Sequence, residues 1–215
     1  MRVISGEAKG FHLKGPPSVG TRPMADKIKG ALFSMLDSLG VAPERVLDLY
    51  AGTGSIGIEA LSRGANWAEF VEQNTAAAAV VRANLNHTKF ADRARVHQRT
   101  VQGFLDNAEQ RPGEPFDLVI LDPPYADPMI VPTLHQVSRS PLVQSATVVV
   151  IGHSPRVNVP DKAGRLLRLR ERCHGDSCFS IYDVIETTLP VRIADRPGAE
   201  RRVAADREVS GDPPA

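Results

Sequence analysis

Apolar residues first recur with a helical period and then fall into short runs separated by turns. In "TRPMADKIKGALFSMLDSLG", Ile28, Leu32, Met35, Leu36 and Leu39 keep helix spacing, and Gly40 suits the helix C-terminus. From Arg45 onward two patterns alternate. "RVLDLY", "WAEFVE", "ARVHQ", "FDLVILD" and "ATVVVI" read as strands. Between them "SIGIEALSRG", "TAAAAVVRANLNHT", "VQGFLDNAE" and "PMIVPTLHQVSRS" read as helices. Such alternation with short links predicts right-handed crossovers and an α/β fold with a doubly wound, mostly parallel sheet.

The two ends depart from this rhythm. "RVISGEAKGFHLKGPP" has brief apolar alternations and several glycines, which predicts a small β-hairpin or arm over residues 1–20. "RLLRLRERC" and "SCFSIYDVIE" alternate every second residue around "HGD", which predicts an antiparallel hairpin at one sheet edge. One main domain is thus expected over residues 21–189. From Pro190 the chain is polar and rich in Pro, Gly, Arg and acidic residues, so 190–215 is expected to be a disordered tail.

Composition adds limits. At 215 residues, 42% apolar and 24% charged, the chain suits one well-buried globular domain. "MRVISGEAKG" has no signal-peptide core, and "ATVVVI" is far shorter than the roughly 20 apolar residues of a membrane span. A cytoplasmic monomer is expected. Cys173 and Cys178 form no metal-ligand pattern, and a lone pair supports no disulfide framework, so both are read as structural thiols. The six histidines lack ligand spacing, and no metal is expected. The net charge of +1 predicts no partner, but its distribution is uneven. Arg2, Lys9, Lys14, Arg22, Lys27 and Lys29 crowd the first thirty residues against Glu7 and Asp26. Arg165, Arg168, Arg170 and Arg172 form a second group opposed by Glu171. Either group suits phosphate contacts or plain solvated surface.

"DLYAGTGSIGIEA" places Gly52, Gly54 and Gly57 in a G-x-G-x-x-G between a strand and a helix. The glycines permit a tight turn and close ligand approach, and the helix N-terminus favours an anionic group. Glu72, at the end of the next strand, suits ribose hydroxyls. These features fit NAD and S-adenosylmethionine equally. Asp48 tips the balance slightly, because its carboxylate would repel a pyrophosphate and attract an ammonium group.

"FDLVILDPPYADP" carries a second signal. A buried strand runs into Asp122, Pro123, Pro124 and Tyr125, and consecutive prolines fix an extended turn. That turn can offer the Asp122 carboxylate and the Pro123 carbonyl to an amino group, with Tyr125 as a face on which a base stacks. A bland alternative is a strand-end turn that caps a helix.

The two motifs together resemble the class I S-adenosylmethionine-dependent methyltransferases acting on exocyclic amines, whose fold is Rossmann-like and whose hallmark is D/N-P-P-Y. With "GTRPMADKIKGALFSML", "VLDLYAGTGSIGIEALSRGA", "FVEQN" and "HGDSCFSIY", the chain resembles the bacterial 16S ribosomal RNA guanine-N2 methyltransferases of the RsmD type over residues 1 to about 185. The resemblance implies transfer of a methyl group from S-adenosylmethionine to a guanine of small-subunit RNA, free or in an assembly particle. It implies that Asp48, Tyr50, Ala51, Gly52, Thr53, Gly54 and Gly57 hold the methionine part of the cofactor, with Glu72 and Gln73 at the ribose. Asp122, Pro123, Pro124 and Tyr125 would hold the target base. Thr21, Arg22 and Pro23 would close the site, while Arg2, Lys9, Lys14 and Lys27 would approach RNA. Met24, Arg99-Thr100-Val101 and Gly152-His153 depart from the family pattern. Rival readings are an amine methyltransferase acting on DNA adenine or protein, a nicotinamide-dependent oxidoreductase, and a non-catalytic RNA-binding assembly protein.

Overall fold

A computed structural model describes residues 1–15, 26–110, 113–124 and 127–185. The elements run in the order α1 (Asp26–Ser38), β1 (Arg45–Asp48), α2 (Ser55–Ser62), β2 (Trp67–Val71), α3 (Thr75–Thr88), β3 (Ala94–His97), α4 (Val101–Gln110), β4 (Leu118–Leu121), α5 (Ile130–Arg139), β5 (Val148–His153), β6 (Lys162–Ala163), β7 (Leu166–His174) and β8 (Ser177–Val184). A single turn of 3-10 helix, Ala91–Arg93, precedes β3. The strands form one sheet in the order β3-β2-β1-β4-β5-β8-β7-β6. β1 to β5 pair in parallel, and β8, β7 and β6 complete the sheet antiparallel. The doubly wound α/β expectation holds, as does the C-terminal hairpin; β6, two residues long, was too short to leave a pattern.

Both faces of the sheet are covered, which is why its central strands are apolar on both sides. Leu32, Phe33 and Leu36 of α1 join Ile58 and Leu61 of α2 and Phe70, Val150, Phe179 and Ile181 of the sheet on one face. On the other, Phe104 and Leu105 of α4 and Leu134 and Val137 of α5 pack on Val149, Ile151 and Tyr182. Each such fully buried large side chain contributes roughly 1.5–3 kcal/mol.

The N-terminal arm is hairpin-like rather than a regular hairpin. Arg2 and His12 form an isolated antiparallel bridge, and the Val3 amide donates to the Phe11 carbonyl at 3.0 Å. The arm is moored by Glu59, which is wholly buried in α2. Its carboxylate accepts the amides of Ile4 (2.8 Å) and Ser5 (3.0 Å) and the Arg63 Nε (2.9 Å). The Lys29 ammonium lies 3.4 Å away, also wholly buried, and donates to the Arg2 carbonyl at 2.8 Å. Burial pulls the Lys29 pKa down, while Glu59 partly restores it. Lys29, counted in the basic patch of the sequence, is therefore a buried tie and no part of any surface.

Two further expectations are corrected. Cys173 and Cys178, directly opposed across β7 and β8, are joined as a disulfide, because the tight turn sets the two side chains facing each other on one rung of the ladder. The second basic group also divides. Arg165 donates to the carbonyls of Ser138 and Val143, both at 3.0 Å, and Arg168 binds Asp161 and Glu171. Those two arginines hold the fold, which leaves Arg170 and Arg172 as the exposed pair. The expected tail, 190–215, lies outside the described residues.

Candidate active site

The strand order reverses between β1 and β4: the chain moves outward from β1 through β2 to β3, then returns beside β1. The loops leaving these two neighbours must diverge onto opposite faces, and a crevice opens between them. Both sequence motifs stand there. The Leu49 amide donates to the Ile120 carbonyl (2.8 Å) and the Ala51 amide to the Val71 carbonyl (3.0 Å), so the first loop is held from both sides. It turns at Gly54, which caps α2 at φ 78°, a left-handed conformation that costs glycine little. Gly57 serves packing instead: a Cβ there would overlap the Phe70 ring of β2. The third glycine of the motif thus sets how closely α2 lies on the sheet.

Asp48 ends β1 beneath that loop, 1% exposed. Its Oδ2 accepts the Gly57 amide at 3.1 Å, placing a negative group at the positive end of α2. Its Oδ1 is buried and has no hydrogen-bond partner among the described residues. Burial first, then the charges of Asp122 and Glu72, push its pKa up to about 7, against the opposing pull of the Gly57 N–H. An orphaned carboxylate oxygen beside a helix N-terminus fits a ligand carrying an ammonium group close to a carboxylate. Glu72 accepts the Gly52 amide at 2.9 Å and the Asn74 amide at 2.7 Å, clipping the loop to the end of β2. A carboxylate offers about four acceptor positions, so room for hydroxyl donors remains.

Asp122 follows β4 and is half-buried, with its carboxylate drawn against β5. A Cβ on Gly152 would collide with Asp122 Oδ1. Burial raises the Asp122 pKa to about 6. Pro123 is buried, Pro124 is exposed, and the Pro124 carbonyl accepts the Asp127 amide at 2.8 Å to close the turn.

A sequence profile for the family described as "Conserved hypothetical protein 95" matches residues 1–183. The chain belongs to that family. Among its relatives, the putative rRNA methyltransferase YlbH of Bacillus subtilis is 34% identical over 182 residues, covering 85% of this chain and 98% of the relative. The ribosomal RNA small subunit methyltransferase D of Escherichia coli is 28% identical over 182 residues, covering 85% and 89%. The solved structure of the putative methyltransferase yhhF from Escherichia coli superposes with a TM-score of 0.74 at 27% identity, covering 86% of this chain and 98% of that one. The chain is a methyltransferase with the class I fold.

In this family member the remaining sequence-predicted residues are not all at the crevice. Tyr50 is half-buried at the mouth of the loop, its hydroxyl 3.4 Å from Thr133 Oγ1. Ala51 and Thr53 are buried beneath the turn, and Gln73 is exposed beyond Glu72. Asn84 ties the base of the arm to the loop, because its Nδ2 donates to the carbonyls of Thr53 (2.9 Å) and Lys14 (3.2 Å). Lys14 therefore stands at the crevice edge. The tip of the arm does not: the Glu7 amide binds the Ser62 carbonyl at the far end of α2, which places neighbouring Lys9 at the opposite edge of the sheet. Arg2 pairs with Asp26 at 3.6 Å, and Lys27 is exposed on the first turn of α1. Thr21, Arg22, Pro23 and Tyr125 lie outside the described residues. Sequence reasoning missed Gly152 and Glu59, since each acts through a partner remote in sequence.

Proposed function

We propose that this protein transfers a methyl group from S-adenosylmethionine to the exocyclic N2 amine of a guanine in 16S ribosomal RNA, acting as a cytoplasmic monomer. One observation carries the reading: two carboxylates, the buried Asp48 and the half-buried Asp122, stand at the ends of neighbouring strands, close enough for the Asp122 charge to be felt at Asp48. The names of the ribosomal RNA methyltransferase relatives support the substrate class. Residues 1–20 would form the arm, 21–189 the catalytic domain and 190–215 an appendage.

Asp48 and the Gly52–Gly57 loop would hold the methionine part of the cofactor, and Glu72 the ribose. When bound, S-adenosylmethionine supplies an electrophilic methyl group. The guanine N2 amine is a poor nucleophile because its lone pair is delocalised into the ring. Asp122 and the Pro123 carbonyl would accept its two hydrogens and fix the amine where that lone pair is exposed. Orientation of this kind supplies up to roughly 7–11 kcal/mol in favourable cases. The Asp122 carboxylate would stabilise positive charge that grows on nitrogen. With a pKa of about 6 it is ionised at neutral pH and basic enough to take a proton in passing. The base must first leave its stack, which costs a few kcal/mol.

Incubation with labelled S-adenosylmethionine and undermethylated small-subunit RNA or particles, followed by nucleoside mapping, should yield N2-methylguanine. Transfer to adenine N6 in DNA instead would overturn the substrate. Asp122→Ala should abolish transfer and leave cofactor affinity nearly intact; full activity in that variant would refute the role of the turn. Calorimetry run in parallel should show binding of S-adenosylmethionine and none of NAD, because a buried carboxylate under the loop repels a pyrophosphate.

A further inference from the structure

The edge hairpin carries a β-bulge between Arg168 and Arg170, and the bulge decides which way its cations face. Residues directly opposed on an antiparallel ladder share a sheet face. Arg168 opposes Tyr182, Glu171 opposes Ser180 and Cys173 opposes Cys178. Tyr182 packs with α5, so these residues belong to the α5 side. Arg170 opposes Ile181, Arg172 opposes Phe179 and His174 opposes Ser177. Ile181 and Phe179 pack with α1, so this second set stands on the α1 side. Unbroken alternation from Arg168 would have put Arg170 and Arg172 on the α5 side; the extra residue turns them over. Glu171 is taken to the far side, where it meets Arg168 at 3.2 Å and His153 at 3.4 Å.

The α1 side is also the side of Asp122. Leu121 opposes Ile151 in β4 and β5, which sets Asp122 level with Gly152. Gly152 opposes Phe179, and Phe179 opposes Arg172. Asp122, Gly152, Phe179 and Arg172 thus form one row across four strands. Three strand spacings separate its ends, about 14 Å. Lys27 stands on the same face, because α1 and α2 run in the same direction. Lys29 meets Glu59 near the start of α1, and Asp37 meets Arg63 near its end, at 3.4 Å each. The first turn of α1 is therefore at the crevice edge. Arg170, Arg172 and His174 are all exposed.

We infer that Arg170, Arg172 and His174 form a phosphate-binding row that holds the RNA strand beside the target nucleotide, opposite Lys14 and Lys27 across the crevice. The row rests on the RNA substrate proposed above and adds where that RNA lies. Two guanidinium groups and an imidazole donor on one exposed face suit phosphate oxygens, while the substrate base enters between the row and the arm.

The test uses the full chain, a fluorescent small-subunit RNA fragment and a salt series, with S-adenosylmethionine affinity and the unfolding midpoint measured alongside. Arg170→Glu/Arg172→Glu should weaken RNA binding at least about tenfold and flatten the slope of log affinity against log salt by about 1.4, that of two single-strand phosphates. Cofactor affinity and midpoint should not change. Arg170→Lys/Arg172→Lys should bind RNA nearly as the parent does, which separates charge from strand structure. Wild-type affinity and slope in the double-Glu variant would overturn the row while leaving the methyltransferase reading intact. Failure of the parent chain to bind either the fragment or the small-subunit particle would overturn both.

Discussion

Gly152 lacks a side chain at the one point where the Asp122 carboxylate needs that space. Gly152→Ala should therefore displace Asp122 and lower kcat by about 10²-fold or more, since a misplacement of about 1 Å can cost that much. Cofactor affinity, measured by calorimetry, should change little. Asp48 and Asp122 also make stability and chemistry depend on pH. Their folded-state values, about 7 and about 6, lie above the ordinary 3.8. The stability they contribute is fully present below about pH 3.8 and is lost as pH rises through about 6 and then about 7. For Asp48 the loss is on the order of 4 kcal/mol. Asp48→Asn should thus gain stability over the parent progressively from about pH 4 to about pH 7 in urea unfolding and level off above that, yet bind S-adenosylmethionine less tightly. Transfer should follow the ionised form of Asp122, with kcat/KM rising through about pH 6 and levelling above it. At this scale the sequence was legible where one residue acts by its own chemistry, as for Asp48, Gly57 and Asp122. Gly152 was read only as a departure from a pattern, because its role is the space it leaves for a residue thirty positions earlier.

Among the elements, α2 depends most on its neighbours, since all eight of its residues are buried. Glu59 within it joins the arm, α1 and Arg63 in one buried cluster. Removing one partner of such a cluster leaves an uncompensated charge, so Lys29→Met should cost about 3–5 kcal/mol in denaturant unfolding. Glu59→Gln should instead loosen the arm, seen as faster amide exchange at Ile4 and Ser5 than in β4 or β5. The helices and parallel strands were legible from periodicity because each buries a regular stripe. The buried Lys29 was not, because its position fits both a polar surface and a core face until Glu59 is placed opposite. The bulge in β7 was equally silent: from Leu167 to Arg170 "RLLRLRERC" alternates straight through the bulged position, and only pairing with β8 shows where the register slips.

For the molecule as a whole, the arm lies along α2 with its base at the crevice and its tip at the opposite edge of the sheet. The four basic residues assigned to RNA should therefore differ. Lys14→Glu should weaken RNA binding severalfold, and Lys9→Glu should leave it within about twofold, in the same salt series. The family match ends at residue 183 and β8 at Val184. A chain ended at residue 189 is expected to keep both the unfolding midpoint and the transfer rate.

The sequence by itself determined the order of elements, the parallel sheet and the two motifs at strand ends, because local spacing and turn chemistry encode them without reference to distant residues. Tertiary structure alone decided which charges are surface and which are buried. It split each basic group, tying Lys29, Arg165 and Arg168 into the fold and leaving Arg170 and Arg172 exposed. It also set Gly152 against Asp122 and left one Asp48 oxygen without a partner among the described residues. The physical reason is the same in each case: burial and electrostatic partnership belong to pairs of residues far apart in the chain, and only the fold brings those pairs together.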